Sequence, residues 1–195
     1  MDAREMSVRD EVADMIDALG DSWVVPQDMA FVKKHHRLYN RNDQITCKYG
    51  IIKTYVPEYM GAPDRKVLDI SSGSGAFLEI MRHFGHEIMG MDIQYFPLLD
   101  SQSIPYAIHN GKDLPYPFDD KSYDLVACQG AISNYRIPWE SVLGEFFRIS
   151  RSCVLLICNG GHPLDENEGM LSRMMPDGWA KPINTKSVHK WVRIL

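Results

Sequence analysis

One short stretch constrains the fold more than any other: an apolar run that passes through small residues directly into an amphipathic helix. The run extends from Lys66 to Ser71, and glycines follow at positions 73 and 75. Apolar side chains then recur at the i, i+3, i+4 and i+7 positions of a helix, namely at Phe77, Ile80, Met81 and Phe84. A short, mainly apolar run of this kind is typical of a parallel strand that is buried on both faces. The stretch therefore predicts a strand, a tight loop and a helix, which is the first half of a βαβ unit.

Strands and helices alternate along the rest of the chain. Further strands are predicted at Glu87–Asp92, 104–108, Tyr123–Cys128 and Val154–Cys158, and helices at Val8–Leu19, Val142–Phe147 and Val188–Leu195. Such an alternation favours right-handed crossovers, which cover both faces of a parallel sheet. The sequence therefore predicts an α/β fold, a Rossmann-like doubly wound sheet with mostly parallel strands.

The composition is that of one globular domain. The chain has 195 residues, of which 45% are apolar and 24% charged, and a formal net charge of −5. Its four cysteines include no Cys-x-x-Cys pair, so we expect free thiols, a cytoplasmic protein and no metal site. The sequence predicts no signal peptide and no transmembrane stretch. The acidic net charge argues against a nucleic-acid groove spread over the whole surface.

The small residues after the first strand mark a ligand crevice, because open α/β sheets bind ligands at the carboxyl ends of their strands. Three ligand classes compete for it. A triphosphate site needs Gly-Lys-Ser/Thr, and a dinucleotide site needs a third glycine at position 78, where this chain has Leu78. Asp69 favours the third class, S-adenosylmethionine, because a carboxylate inside the strand can face an ammonium group. Asp92 closes the second strand, where an acid can accept hydrogen bonds from ribose hydroxyls.

Three segments resemble the class I S-adenosylmethionine-dependent methyltransferases, in particular the type 11 branch. They are Lys66–Gly75, Glu87–Asp92 and Leu114–Val126. The resemblance implies S-adenosylmethionine as the cofactor and binding roles for nine residues: Asp69, Ser71, Gly73 and Gly75 at the methionine end, Asp92 at the ribose, Ile93, Asn110 and Gly111 at the adenine, and Gln129 near the sulfonium and the acceptor. It assigns no catalytic base.

The chain departs from this family's pattern in two places. Ser71 stands where the family usually has glycine, and a serine is less free to adopt a positive φ. The segment after Gly161 is interpreted as a loop and one helix, so the antiparallel hairpin that usually closes the sheet is predicted to be missing. The chain is divided into an N-terminal helical cap or lid, 1–60, and a cofactor-binding domain, 61–195.

The predicted function is in-line transfer of a methyl group to a small-molecule acceptor. Six basic residues against one acid between Phe31 and Tyr55 allow an anionic acceptor and motivate methylation of RNA or protein as an alternative. The missing hairpin and Ser71 motivate another alternative, a catalytically silent protein that binds the cofactor or a partner. Candidate acceptor contacts are His109, Asn134, Tyr135 and His162. The methylated atom, the pathway and the oligomeric state are left open.

Overall fold

The computed structural model describes residues 8–19, 41–93, 103–132, 135, 138–158, 175–184 and 188–193. The helices in these ranges are α1 (Val8–Leu19), α2 (Arg41–Tyr55), α3 (Ala76–His83) and α4 (Trp139–Ile149), with a short 3-10 helix at Pro57–Tyr59. The strands are β1 (Lys66–Ile70), β2 (Glu87–Asp92), β3 (Tyr106–Ile108), β4 (Tyr123–Gln129), β5 (Ser150–Ile157), β6 (Trp179–Asn184) and β7 (Val188–Arg193).

These strands form one sheet in the order β3-β2-β1-β4-β5-β7-β6. β1 lies between β2 and β4 and is parallel to both, and β3 and β5 continue the parallel pairing outward. Because β2 and β4 lie on opposite sides of β1, the sheet has its topological switch point beside β1. Ligands of open α/β sheets bind there, beyond the carboxyl ends of the strands. The sequence prediction of a Rossmann-like, mostly parallel α/β fold is confirmed.

Burial is the mark of strand β1, and two glycines with positive φ flank helix α3. Residues 67–70 of β1 are all buried, as expected for a central parallel strand. Helix α3 begins after Gly75, whose φ is 76°, and Gly85 follows the helix with a φ of 87°. Both values lie in the left-handed region that glycine enters without a Cβ clash. The two glycines therefore aim α3 back along the sheet.

Alternate residues of the strands contribute to two hydrophobic cores, one on each face of the sheet. On one face, Val67 and Leu125 pack with side chains from α1, α2 and α3, including Phe77. On the other face, Leu68 packs with side chains from α4, including Phe146. The N-terminal helices thus share a core with the sheet that carries the candidate site.

The C-terminal segment differs from the sequence prediction. The predicted final helix is wrong, because Val188–Arg193 forms strand β7, and the predicted loss of the hairpin is wrong, because β6 and β7 pair antiparallel. β7 is also antiparallel to β5, so it lies inside the sheet and β6 forms the edge. Residues 188–191 are buried in succession, so the strand lacks the alternation of a half-exposed strand. Its apolar residues at 188, 191 and 192 also fit a helical period, which misled the sequence interpretation.

Helices α1 and α2 are joined through one carboxylate. Glu11 Oε2 accepts hydrogen bonds from Tyr49 Oη at 2.9 Å and from Lys53 Nζ at 2.5 Å. Residues 1–7 and 20–40 of the N-terminal segment lie outside the described residues. The division of the chain at residue 60 therefore stays a prediction.

Candidate cofactor site

The loop between β1 and α3 is a tight bend with three left-handed backbone positions. Ser71, Gly73 and Gly75 have φ values of 60°, 54° and 76°. The Ser72 N–H donates to the carbonyl of Met91 at 3.1 Å, which holds the bend against β2. Glycine adopts such angles freely, whereas Ser71 does so against a steric penalty of roughly 1–2 kcal/mol. The bend expected from the sequence is present, with its strain concentrated at Ser71.

Asp92 ends β2 directly beside this bend. Its Oδ2 accepts a hydrogen bond from the Gly73 N–H at 2.9 Å, and its Oδ1 accepts one from the Ile93 N–H at 2.7 Å. The two amides orient the carboxylate at the carboxyl edge of the sheet. A carboxylate can accept about four hydrogen bonds, so this orientation suits a ligand that presents hydroxyl groups.

Asp69 lies inside β1 and is almost completely buried, with 3% of its surface exposed. Among the described residues, its Oδ1 has no hydrogen-bond partner. Burial raises the pKa of Asp69 from its ordinary value of 3.8 to about 7; the Asp92 carboxylate adds to this rise, and the Lys48 ammonium opposes it. The structure thus brings together the two acids that the sequence singled out, as expected from adjacent parallel strands.

Lys48 belongs to this site although the sequence analysis did not single it out. From helix α2, its Nζ donates to Gln129 Oε1 at the end of β4, at 2.9 Å. In the described part of the chain, Gln129 Nε2 is buried without a hydrogen-bond partner. A cation, a buried donor and the buried acceptor of Asp69 therefore converge at one end of the cleft. The available sequence signal was the basic segment of Phe31–Tyr55, which does not reveal which of its cations turns inward.

The other end of the cleft lies beyond β2 and β3. Ile93 is 59% exposed immediately after Asp92, which is unusual for a large apolar side chain at a strand end. Asn110 Oδ1 accepts a hydrogen bond from the Lys112 N–H at 3.1 Å and so stabilises its own turn. The Gly111 carbonyl accepts a hydrogen bond from Tyr116 Oη at 2.9 Å. Ile93 thus offers apolar surface after β2, and Asn110 and Gly111 belong to a hydrogen-bonded turn after β3.

Tyr135 lies across the cleft between its two ends. Its hydroxyl is 2.5 Å from Ser71 Oγ, and a Cβ placed on Gly111 would lie only 2.3 Å from its Cζ. Of the other candidate acceptor contacts, His109 instead holds the loop after β3, with its Nε2 2.7 Å from the Asp113 carbonyl oxygen. Asn134 and His162 lie outside the described residues.

In the described ranges, no group of three or more His, Cys, Asp or Glu side chains is placed to hold a metal ion. In the same ranges, no helix combines the length and the apolar character that a membrane crossing requires.

The fold and the site have the features of one class of protein, the class I S-adenosylmethionine-dependent methyltransferases. Its marks are the parallel sheet with β7 antiparallel beside β5, the glycine bend after β1 and the acid that ends β2. A family described as a methyltransferase domain matches residues 68–158, which include all of these elements except the C-terminal hairpin. The family match and the observed fold support a class I methyltransferase domain in this chain.

The chain is similar to several characterised and solved proteins. It is 28% identical over 111 residues to the ubiquinone biosynthesis O-methyltransferase of Yersinia pestis; the match covers 52% of this chain and 42% of that protein, less than half its length. A methyltransferase from Archaeoglobus fulgidus superposes with a TM-score of 0.63 at 14% identity, over 85% of this chain and 99% of that one. Magnesium protoporphyrin IX methyltransferase from Synechocystis, solved with bound S-adenosylmethionine, superposes with a TM-score of 0.61 at 14% identity. The superposition covers 86% of this chain and 93% of that one. At these identities, the structural likenesses show a shared fold.

The polar atoms of the cleft fit the methionine end of S-adenosylmethionine. The buried Asp69 Oδ1 is an acceptor for an ammonium group, and the buried Gln129 Nε2 and the Lys48 ammonium are donors for a carboxylate. Buried polar groups without partners are costly, so a ligand that supplies the missing partners is favoured. The exposed Ile93 offers apolar surface to a flat ring.

Proposed function

We propose that this protein transfers the methyl group of S-adenosylmethionine to a small-molecule acceptor. The observation that carries the proposal is the convergence of Asp69 and Asp92 on one cleft beside the glycine bend of a class I fold. We also propose a cytoplasmic location, which the four cysteines support, since none of them forms a disulfide and reduced thiols are typical of reducing compartments.

The proposed cofactor contacts follow the length of the cleft. Asp69 pairs with the ammonium group, and Lys48 and Gln129 take the carboxylate. Asp92 binds the ribose hydroxyls. The backbones of Gly73 and Gly75 approach the methionine end, and Ile93, Asn110 and Gly111 enclose the adenine. Through Lys48, the N-terminal segment acts as a cap over the methionine end.

When bound, the cofactor supplies a methyl group already activated on a sulfonium. The task of the chain is therefore to orient the acceptor in line and to exclude water, and positioning of this kind is worth on the order of 7–11 kcal/mol. Gln129 lies at the carboxyl end of β4, next to the proposed methionine end, where it can orient an acceptor. No residue is assigned as the base.

A small acceptor is favoured over RNA or protein. Lys48 bonds to Gln129 and Lys53 to Glu11, so two of the six cations between Phe31 and Tyr55 are engaged within the molecule. The similarity to a ubiquinone biosynthesis O-methyltransferase supports an oxygen acceptor on a small molecule. The alternative of a silent protein loses one of its two grounds, because the C-terminal hairpin is present.

Cofactor binding is tested by calorimetry with S-adenosylmethionine. We expect Asp92→Ala to weaken binding about 10- to 100-fold, because it removes charge-assisted hydrogen bonds worth roughly 1.5–3 kcal/mol. Asp119→Ala is the matched control, since Asp119 is exposed and lies just before the start of β4, where its carbonyl accepts a hydrogen bond from Ser122 Oγ. Absence of binding to the parent chain at millimolar cofactor contradicts the proposal, and an unchanged affinity in Asp92→Ala contradicts the ribose assignment.

Catalysis is tested separately with a panel of phenolic and carboxylic metabolites. We expect S-adenosylhomocysteine to accumulate with at least one phenolic member, measured by mass spectrometry. Binding of the cofactor without turnover of any member favours the silent alternative.

A further inference from the structure

We propose that Ser71 and Tyr135 form a latch that closes the cofactor cleft, and that S-adenosylmethionine displaces the Tyr135 ring when it binds. This inference rests on the proposed function, because it concerns entry of the same cofactor into the same cleft.

The latch joins two loops at the carboxyl edge of the sheet. Ser71 lies in the loop after β1, and Gly111 lies in the loop after β3, with β2 between these strands. The Tyr135 hydroxyl is 2.5 Å from Ser71 Oγ. Its ring rests on the Gly111 backbone, since an added Cβ there would lie 2.3 Å from Cζ and 2.9 Å from Cε1. The phenol ring therefore spans the edge of the sheet above the end of β2.

The proposed cofactor contacts place the ligand in the same space. Its methionine end would lie at the glycine bend beside Ser71, its ribose at Asp92 and its adenine beside Gly111. A ligand that reaches from Ser71 to Gly111 has to pass through the volume of the Tyr135 ring. Ring and cofactor are therefore mutually exclusive.

Ser71 itself supports the latch. Its φ of 60° belongs to a region that glycine enters more easily, so serine introduces strain at this position. In return, it supplies the hydroxyl that contacts Tyr135. Burial raises the pKa of the Tyr135 hydroxyl, which therefore remains protonated and able to donate a hydrogen bond near neutral pH.

When a latch closes a binding site, only the open molecules can bind the ligand. The apparent affinity is then the affinity of the open state multiplied by the fraction of molecules that are open. Removing one neutral hydrogen bond from the closed state is expected to raise the apparent affinity about three- to tenfold. Tyr135→Phe removes the hydroxyl and keeps the ring, and Ser71→Gly removes Oγ and relieves the backbone strain. Because both variants break the same bond, we expect the double variant to gain little beyond either single variant.

The experiment measures the dissociation constant by calorimetry and the association rate by stopped-flow fluorescence, for the parent chain and the three variants. The latch predicts a lower dissociation constant and faster association in each variant, with non-additive effects. Tyr123→Phe is the control. Tyr123 begins β4, so it lies at the amino end of this strand, away from the carboxyl ends that form the cleft, and its ring packs on Phe118. Thermal unfolding verifies that all variants are folded.

Unchanged or weaker binding by Tyr135→Phe and Ser71→Gly overturns the latch, and weaker binding would identify Tyr135 as a cofactor contact. Additive gains in the double variant also overturn it, because two independent effects do not describe one shared bond. Failure of the proposed function gives a different result, which is no binding of S-adenosylmethionine by the parent chain itself.

Discussion

At the scale of single residues, the site is organised around a buried carboxylate that the folded chain does not fully compensate. The Lys48 ammonium lowers the pKa of Asp69 and the Asp92 carboxylate raises it, and Asp69 in turn raises the pKa of Cys128 in β4. Burial without a hydrogen bond disfavours the charged form of an acid. Groups perturbed in this way are concentrated at functional sites, because there a ligand supplies the missing partner.

The pH dependence of stability tests this interpretation. The pKa of Asp69 is raised to about 7 in the folded chain against an ordinary value of 3.8, so the folded chain binds more protons than the unfolded chain between these values. Stability from this group is therefore full below about pH 4 and decreases as pH rises towards 7. We expect Asp69→Asn, which is neutral throughout, to remove this decrease. Urea unfolding of both proteins between pH 4.5 and about 7.5 measures it, and parallel pH profiles would contradict the assignment.

At the scale of elements, the contact between β2 and the bend after β1 shapes the cleft. Gly90 lies in β2, and a Cβ there would lie 2.8 Å from Ser72 Oγ and 3.2 Å from Leu78 Cδ1. The Asp92 carboxylate joins the same two elements through the Gly73 amide. The position of the bend thus depends on how closely β2 approaches it.

We expect Gly90→Ala to lower the free energy of unfolding by about 1–3 kcal/mol, because the added methyl group overpacks a buried contact. The same change should weaken binding of S-adenosylmethionine by displacing the bend. Gly144→Ala is the matched control, because Gly144 is exposed in α4 and, apart from the neighbouring backbone of its own helix, no atom of the described residues lies within 4 Å of the added Cβ. Alanine should stabilise this helix by about 1 kcal/mol. Thermal or urea unfolding measures both, and equal effects of the two substitutions would contradict the packing argument.

At the scale of the whole molecule, the C-terminal hairpin of β6 and β7 contacts the 3-10 helix that precedes the first strand of the sheet. Lys190 of β7 is buried, and its Nζ contacts Glu58 Oε1 of the 3-10 helix at 2.6 Å. On the other face of the sheet, Trp179 of β6 and Trp191 of β7 both pack edge-on against Phe147 of α4. Chain segments far apart in sequence therefore depend on the same hairpin.

We expect Glu58→Ala to destabilise the chain by roughly 1–3 kcal/mol, because it leaves the buried Lys190 ammonium without this carboxylate. Glu87→Ala provides the comparison. Its ion pair with Lys66 spans 3.1 Å between side chains that are 66% and 46% exposed, so its loss should cost less than about 1 kcal/mol. Urea unfolding measures the loss of unfolding free energy in both variants. Similar losses would show that burial of Lys190 does not strengthen its ion pair with Glu58.

The local spacing of apolar residues in the sequence was sufficient to predict most of the strands and helices. The limits of β2 were predicted correctly as Glu87–Asp92, and the helix after the glycine bend was predicted from its apolar spacing. These elements are amphipathic or continuously apolar over their whole length, so their neighbours in the sequence indicate their structure. The same reasoning failed at β7, which becomes an interior strand because β5 and β6 pair with it on either side.

The sequence by itself determined the α/β class, the glycine bend and the two acids, because each depends on residues that are close together in the chain. Only the tertiary structure decided that β7 is an interior strand, that Lys48 reaches Gln129 and that Tyr135 lies against Ser71 and Gly111. The last two contacts join residues 81 and 64 positions apart. Contacts at such separations follow from how the sheet and helices pack, and no local periodicity carries that information.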